Sequence, residues 1–458
     1  MPRSRAGEPL TLPTGQRHRA GPRPLRLAVK RMRLRRFPVL ASAAVAVVIL
    51  MVLVIRDRVR AGSQSTVTAL QPIAALASEP AAALARLAAG DHPEARLAAA
   101  YEALDAGQTD AAFEIAAALV RERPDFALAQ ALHADLLASR AGHPMAFGAN
   151  LQDNPAVPIP APDLLDEARL RWAAVKERPR PDQVPAEFLE LPASVRYAVA
   201  VDTSRSRLYL LKNGPQGLQL QSDHYVSVGK LGVGKQVEGD SRTPLGVYWM
   251  VQGVRGPMRD ERLGLAALRF NYPNAWDRLR GRTGSGLYLH GVPQDVFARA
   301  PLATDGCVAL ANDDVKMLID TVDVDNTPVL IAQKLTWVAS GGVQAARDGF
   351  QAAFQAWDRA RQDGRREALS RWYESDAAIA PETLEAGPPR ESPSVIGWNG
   401  DAQPLIVTSS RGTVSAPGKA LTFRQYWTQR DGQWRIVYDG ALPVRPLDLP
   451  VAKPPQQL

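Results

Sequence analysis

The chain has 458 residues, with 55 lysines and arginines against 47 acids, a formal net charge of +8 and one cysteine, Cys307. A single thiol excludes an intramolecular disulfide framework, and a composition 46% hydrophobic and 22% charged excludes a chain too polar to build a core. Residues 1–36 hold eleven Lys/Arg against Glu8 alone, a charge of +10, so residues 37–458 sum to −2 and no nucleic-acid partner is expected.

After the basic tail of 1–36, the nineteen residues Phe37 to Ile55 carry no charge, and Arg56-Asp57-Arg58 closes the run. At 1.5 Å per residue this helix would span about 28 Å, close to the ~30 Å hydrocarbon core of a bilayer. Basic residues on its amino-terminal side predict a single-pass signal anchor at 37–55. The tail is then cytoplasmic, and the remainder lies in the periplasm outside an inner membrane. The alternative is a cleaved signal peptide. The run exceeds the usual ~7–15 apolar residues of such peptides, and no clear Ala-x-Ala site follows. One lone cysteine also suits an oxidising compartment.

Residues 78–140 are dominated by alanine with leucine at helical spacing. Ala95 to Ala106, the turn Gly107-Gln108-Thr109-Asp110, and Ala111 to Glu122 read as helix, turn, helix. Pro124 follows, and a third helix runs from Phe126 to Ser139. The pattern is similar to a tetratricopeptide repeat, a surface that would take a protein partner; a lone helical hairpin fits the same residues. Gly142 to Pro162 reads as a linker, Leu164 to Lys176 as a helix, and Pro179 to Pro192 as a proline-dense approach to the next domain.

Between 195 and 334 the period changes to two. Tyr197 to Leu211 and His224 to Val228 alternate as strands, Asn213-Gly214 marks a hairpin turn, and Asn312 to Thr321 reads as a short helix. Cys307 sits in Thr304-Asp305-Gly306-Cys307-Val308-Ala309-Leu310, and seventeen positions upstream His290 ends the run Gly286-Leu287-Tyr288-Leu289. A thiol with a separate imidazole is the pairing that thiol catalysis needs. The imidazole takes the proton, the thiolate attacks a carbonyl, and the amides of Gly306 and Cys307 could receive the oxyanion. The other reading of a free cysteine is a small buried hydrophobe.

The order of these segments, with Gly239-Asp240-Ser241-Arg242-Thr243-Pro244-Leu245-Gly246 and Asn271-Tyr272-Pro273-Asn274, resembles the catalytic domain of bacterial L,D-transpeptidases. The family resemblance implies a mainly-β domain, Cys307 as nucleophile and His290 as general base on a peptidoglycan stem peptide. It also implies Tyr272 as an oxyanion donor. A backbone carbonyl near Gly291 would orient the imidazole, since no Asp or Asn occupies a triad position. Thr304, Asp305, Arg242 and Asn312 are candidate substrate contacts; Arg242 and Lys235 read alternatively as solvated loop charges, and His224 as structural or substrate-lining. Asp305 stands where the family has histidine, and Ala309 where it has arginine. The acceptor of the acyl group, a second stem, a protein lysine or water, stays open, as does a catalytically silent wall-binding protein.

Residues 342–442 begin with a helix from Val343 to Asp363, with Phe350, Phe354 and Trp357 on one face. Strand patterns follow at Leu405 to Ser409 and Thr422 to Thr428, ending in Gly432-Gln433-Trp434-Arg435-Ile436. Helix first and sheet after resembles the nuclear-transport-factor-like cone, an α+β fold and a second candidate surface for a protein partner. Pro443 to Leu458 reads as an unstructured tail. No spacing of Cys, His or acids matches a metal site, and Gly232-x-Gly234 lacks the Gly-Lys-Ser/Thr of a phosphate loop, so no cofactor is expected. The expected fold class is therefore multidomain: a transmembrane helix, a helical repeat-like region, a mainly-β L,D-transpeptidase domain and a cone-like α+β domain.

Overall fold

The computed structural model describes residues 92–143, 161–400, 404–413 and 420–443. The expected tail at 1–36, the anchor at 37–55, the first part of the helical region and the proline-rich end beyond 443 lie outside the described residues. Among the described residues, no helix is long and apolar enough to cross a membrane.

The helical region consists of α1 (Pro93–Asp105), α2 (Thr109–Glu122), α3 (Ala127–Arg140) and α4 (Ala161–Lys176). Pro93 opens α1 where its missing N–H costs no hydrogen bond, and the His92 ring accepts from the Glu94 N–H as a cap. Gly107, at φ +73°, turns the chain into α2. Small alanines let the helices approach closely around Leu97, Leu119, Leu132 and Leu164. That core continues into Tyr225, Phe297 and Ala311 of the next domain, so the helices pack on it directly.

Two short strands, β1 (Gln183–Pro185) and β2 (Phe188–Glu190), precede the β domain. Its strands are β3 (Tyr197–Asp202), β4 (Arg207–Gly214), β5 (Gly217–Tyr225), β6 (Val228–Gly229), β7 (Gly246–Arg255) and β8 (Ala266–Phe270). After the short helix α5 (Ala275–Leu279) come β9 (Tyr288–His290), β10 (Leu302–Thr304), β11 (Val308–Ala309), α6 (Asn312–Thr321) and β12 (Pro328–Ala332). Eight strands form one sheet in the order β11-β9-β8-β7-β12-β3-β4-β5. The run from Tyr197 is two strands, broken at Thr203 to Ser206, and Gly214 pairs with Gly217, so the hairpin turn lies at Pro215-Gln216, just beyond the expected Asn213-Gly214. One face of the sheet buries Val199, Leu208, Tyr248 and Leu289 under α6; the other buries Ala200, Tyr209 and Trp249 against the carboxy-terminal domain.

That domain follows β13 (Trp337–Ala339) with α7 (Gln344–Gln362), α8 (Arg366–Ser370), β14 (Tyr373–Ile379), β15 (Ser394–Trp398), β16 (Leu405–Thr413), β17 (Ala420–Arg430) and β18 (Gln433–Pro443). Phe350, Phe354 and Trp357 of α7 pack on Trp427 and Ile436 of the sheet. The sheet order is β14-β18-β17-β16-β15-β2, so its last strand comes from ahead of the β domain. β1 likewise pairs antiparallel with β13. The domain drawn at 342–442 is therefore incomplete without residues 188–190, a pairing that local pattern does not encode.

Candidate active site

β9 and β11 run parallel at one end of the large sheet, with Ala309 opposite His290 and Val308 opposite Leu289. Cys307 immediately precedes β11 and His290 ends β9, so the parallel pairing brings the thiol-bearing and imidazole-bearing residues to neighbouring positions at this edge, with the Cys307 Sγ 3.9 Å from the Gly286 carbonyl. His290 is buried, and its Nδ1–H donates to the Gly291 carbonyl at 2.6 Å. This bond fixes the tautomer that carries its lone pair on Nε2. Burial pushes the imidazole down to about 4, so the ring is neutral at physiological pH. Cys307 is partly exposed; burial of its sulfur raises the thiol, while a hydrogen bond with the Tyr288 backbone N–H favours the thiolate. The resting pair is thus neutral thiol and neutral imidazole.

The loop ahead of the sulfur is pinned from within. The Gly306 N–H donates to Thr304 Oγ1 at 3.1 Å, and that hydroxyl donates to the Cys307 carbonyl at 2.7 Å. Gly306 has φ +123°, and a Cβ there would meet the Arg242 carbonyl at 2.8 Å, so only glycine fits. These contacts correct two expectations. The Gly306 amide is already spent on Thr304, leaving the Cys307 N–H as the oxyanion candidate from this pair. Thr304 is 2% exposed and shapes the loop from inside instead of facing substrate.

Five further expectations are also revised by the contacts. The Tyr272 hydroxyl donates to the Thr283 carbonyl at 3.1 Å, so its proton is committed away from the thiol. Asp305 pairs with Lys230 at 2.7 Å and Arg262 at 3.4 Å, a surface ion cluster in the position where histidine was expected. The Arg242 guanidinium donates to the Val233 carbonyl at 3.1 Å and braces its own loop. Asn312, at the start of α6, accepts from the N–H groups of Leu265 and Val292 and donates to the Val292 carbonyl at 2.8 Å. It holds the turn that follows His290. Lys235 is buried against Asp240 at 2.8 Å and is no solvated loop charge.

His92, His224 and Asp314 place three potential ligand atoms within 4.8 Å of one another, the group with metal-ligand chemistry among the described residues. Because His92 Nδ1 accepts from the Glu94 N–H, its Nε2 carries the proton and donates to Asp314 at 2.7 Å. His224 Nδ1 lies 2.9 Å from the same oxygen, and its Nε2 meets Ser222. The cluster reads as a hydrogen-bonded clasp joining α1, β5 and α6. A metal would need the lone pair that His92 Nε2 lacks. Sequence reasoning missed this clasp, and also Arg262 and Arg299, whose charges act on the thiol or imidazole.

Residues 196–331 match the YkuD family model, the L,D-transpeptidase catalytic domain. No curated protein matches the chain. Similar solved structures include Bd1075 from Bdellovibrio bacteriovorus, 21% identical over 58% of this chain and 99% of that one, with a TM-score of 0.48. Another is the helical cell shape determining protein Pgp2 from Campylobacter jejuni, 18% identical over 53% of this chain and 91% of that one, with a TM-score of 0.44.

Proposed function

Residues 196–331 being an L,D-transpeptidase catalytic domain, we propose that the chain forms a Cys307 acyl-enzyme on the peptidoglycan stem tetrapeptide. The supporting observation is that Cys307 directly precedes β11, the strand paired parallel with the β9 that His290 ends, with the imidazole tautomer fixed by Gly291. His290 Nε2 takes the thiol proton, and the thiolate attacks the carbonyl joining the third, diamino acid residue to the terminal D-alanine. The Cys307 N–H receives the oxyanion. Collapse breaks the peptide bond, and the imidazolium returns its proton to the departing amine of D-alanine. The thioester then passes its acyl group to an amine of another stem or of a protein.

Partial exposure of Cys307 favours a second reading, in which water takes the acyl group and the enzyme is an L,D-carboxypeptidase or an amidase that detaches wall-linked protein. Mass spectrometry of the protein with disaccharide tetrapeptide separates the outcomes. Dimer with released D-alanine supports transfer, and tripeptide with D-alanine supports hydrolysis. An unchanged tetrapeptide sinks transfer and carboxypeptidase action, and an unchanged stem-linked protein conjugate beside it sinks the amidase and leaves a silent wall-binding scaffold.

The anchor at 37–55 puts this chemistry in the periplasm on the inner membrane; an alkaline phosphatase fusion after residue 60 that stays inactive would contradict that placement. In this reading the helical region and the nuclear-transport-factor-like domain at 342–442 recruit polymer or a protein partner.

A further inference from the structure

The ion pairs around the thiol do not balance. Arg262 is bound to Asp260 at 2.7 Å, and Asp305 is shared by Lys230 and Arg262. Lys235 is paired with Asp240. Arg299 is left over. Its guanidinium is half-buried, makes one hydrogen bond, 2.6 Å to the Arg262 carbonyl, and has no acid within salt-bridge distance among the described residues. Its one partner, Arg262, reaches Asp305, two residues before Cys307, so the guanidinium sits at the edge of the loop that carries the thiol. Four cations thus face three carboxylates, each already engaged, beside the reacting sulfur. Desolvation and the like charge of Arg262 push the Arg299 guanidinium down, a cost that an incoming anion would relieve.

The position of this arginine is fixed by the helical region. The Phe297 N–H donates to the Asp125 carbonyl at 3.0 Å, and the Phe297 ring lies 4.1 Å from that of Phe126. The Arg299 carbonyl accepts from the Tyr225 hydroxyl at 3.0 Å. Tyr225 is itself held by the partly buried Glu94 carboxylate on its N–H, at 3.2 Å, and by the Arg171 guanidinium 3.8 Å above its ring. The turn between α2 and α3 therefore holds the segment at Phe297, and α1 and α4 hold the Tyr225 that fixes its backbone at Arg299, which leaves the guanidinium with its one hydrogen bond and no carboxylate partner.

We infer that Arg299 seats the terminal carboxylate of the stem peptide beside Cys307, and that the helical region exists in part to hold it there. The inference rests on the function proposed above for the choice of carboxylate, but not for the existence of an anion seat. A free carboxylate distinguishes the end of a tetrapeptide from a mid-chain peptide bond, so this contact would confine attack to the last bond of the stem. Planar bidentate pairing suits guanidinium better than ammonium.

The test uses the whole protein with Arg299→Gln and Arg299→Lys. Cys307 is alkylated with anionic iodoacetate and neutral iodoacetamide, and the ratio of the two rates is taken, which cancels changes in thiolate fraction. The ratio should fall about tenfold in the Gln variant and recover in large part in the Lys variant, as loss of one charge-assisted contact requires. On tetrapeptide, KM should rise by a similar factor. Amidating the terminal carboxylate should cost the native protein that factor and the Gln variant nothing more. Tyr225→Phe should lower the alkylation ratio less, about threefold, without slowing iodoacetamide. An unchanged ratio in a folded Gln variant overturns the inference, and the Lys variant carries the test if Gln does not fold. If the ratio falls while the native protein releases no D-alanine, the anion seat stands and the proposed function fails.

Discussion

At the scale of single residues, the neutral His290 makes the clearest forecast. Cys307→Ala and His290→Ala should each abolish D-alanine release while circular dichroism stays native, because the two act as a unit. The base form of His290 persists down to about 4, so kcat/KM should hold through mildly acidic pH and fall only as pH approaches that value. Alkylation of the thiol should keep rising above the usual cysteine range, because burial raises its proton affinity. The stability sign follows from the same shift. The unfolded imidazole titrates near 6.5 and the folded one near 4, so stability present above 6.5 is lost as pH falls towards 4 and is constant below. A His290→Gln variant should lack that stretch of acid sensitivity in thermal melts. Asn312→Ala removes three hydrogen bonds to backbone and should cost about 2–3 kcal/mol. It should lower kcat more than it raises KM, since the turn after His290 moves while the substrate surface stays.

At the scale of elements, the clasp of His92, His224 and Asp314 ties α1 to the helix that carries Asn312. Hydrogen bonding to Asp314 raises His92, so its contribution is complete below 6.5 and fades as pH rises through the folded value. His92→Ala should therefore destabilise the protein at pH 6, by about 1 kcal/mol once solvent screening of the partly exposed ring is allowed for, and lower its melting temperature accordingly. The gap to native should narrow by pH 9, and equal gaps at both values would remove the clasp. Helices were the most legible part of the sequence. Alanine spacing, Gly107 and Pro124 marked α1, α2 and α3, and Asn312 to Thr321 was read with the boundaries that α6 has. Cys307 and His290 stood out by residue type and by the order of their segments. What stayed hidden was the partner of each polar side chain. Thr304 and Tyr272 look like site residues in sequence because nothing local shows that Cys307 and Thr283 carbonyls absorb their protons. Arg299 is hidden for the converse reason, since being unpaired is a property of its surroundings.

At the scale of the whole molecule, the catalytic and carboxy-terminal domains share one apolar layer. Trp249 and Tyr209 meet Trp398, Leu405 and Tyr426 there, and Trp276 stacks on Tyr426 at 5.3 Å. Cys307, His290 and the segments that carry the family resemblance all lie before residue 342, so local pattern alone offers a cut there. The structure predicts a different result. Truncation strips the cover from that layer and orphans β2, so the fragment should aggregate or melt well below the full protein in scanning calorimetry. A fragment as stable as the parent would show the layer to be dispensable.

The pairing of β2 with β15 also bears on the order in which the protein can be made. Val395 meets Glu190 and Ile396 meets Phe188, across some two hundred residues of chain. Synthesis runs from the amino terminus, so β2 emerges with its hydrogen-bonding edge exposed, and the whole β domain must follow before its partner exists. Contacts that distant close slowly and leave an open edge in the meantime. The β domain is in effect threaded through the body of its neighbour: the chain enters it after one strand of that sheet and leaves before the rest. The neighbouring sheet cannot close before the β domain has been made, so an arrested or clipped chain would carry the Cys307 loop without a finished molecule around it.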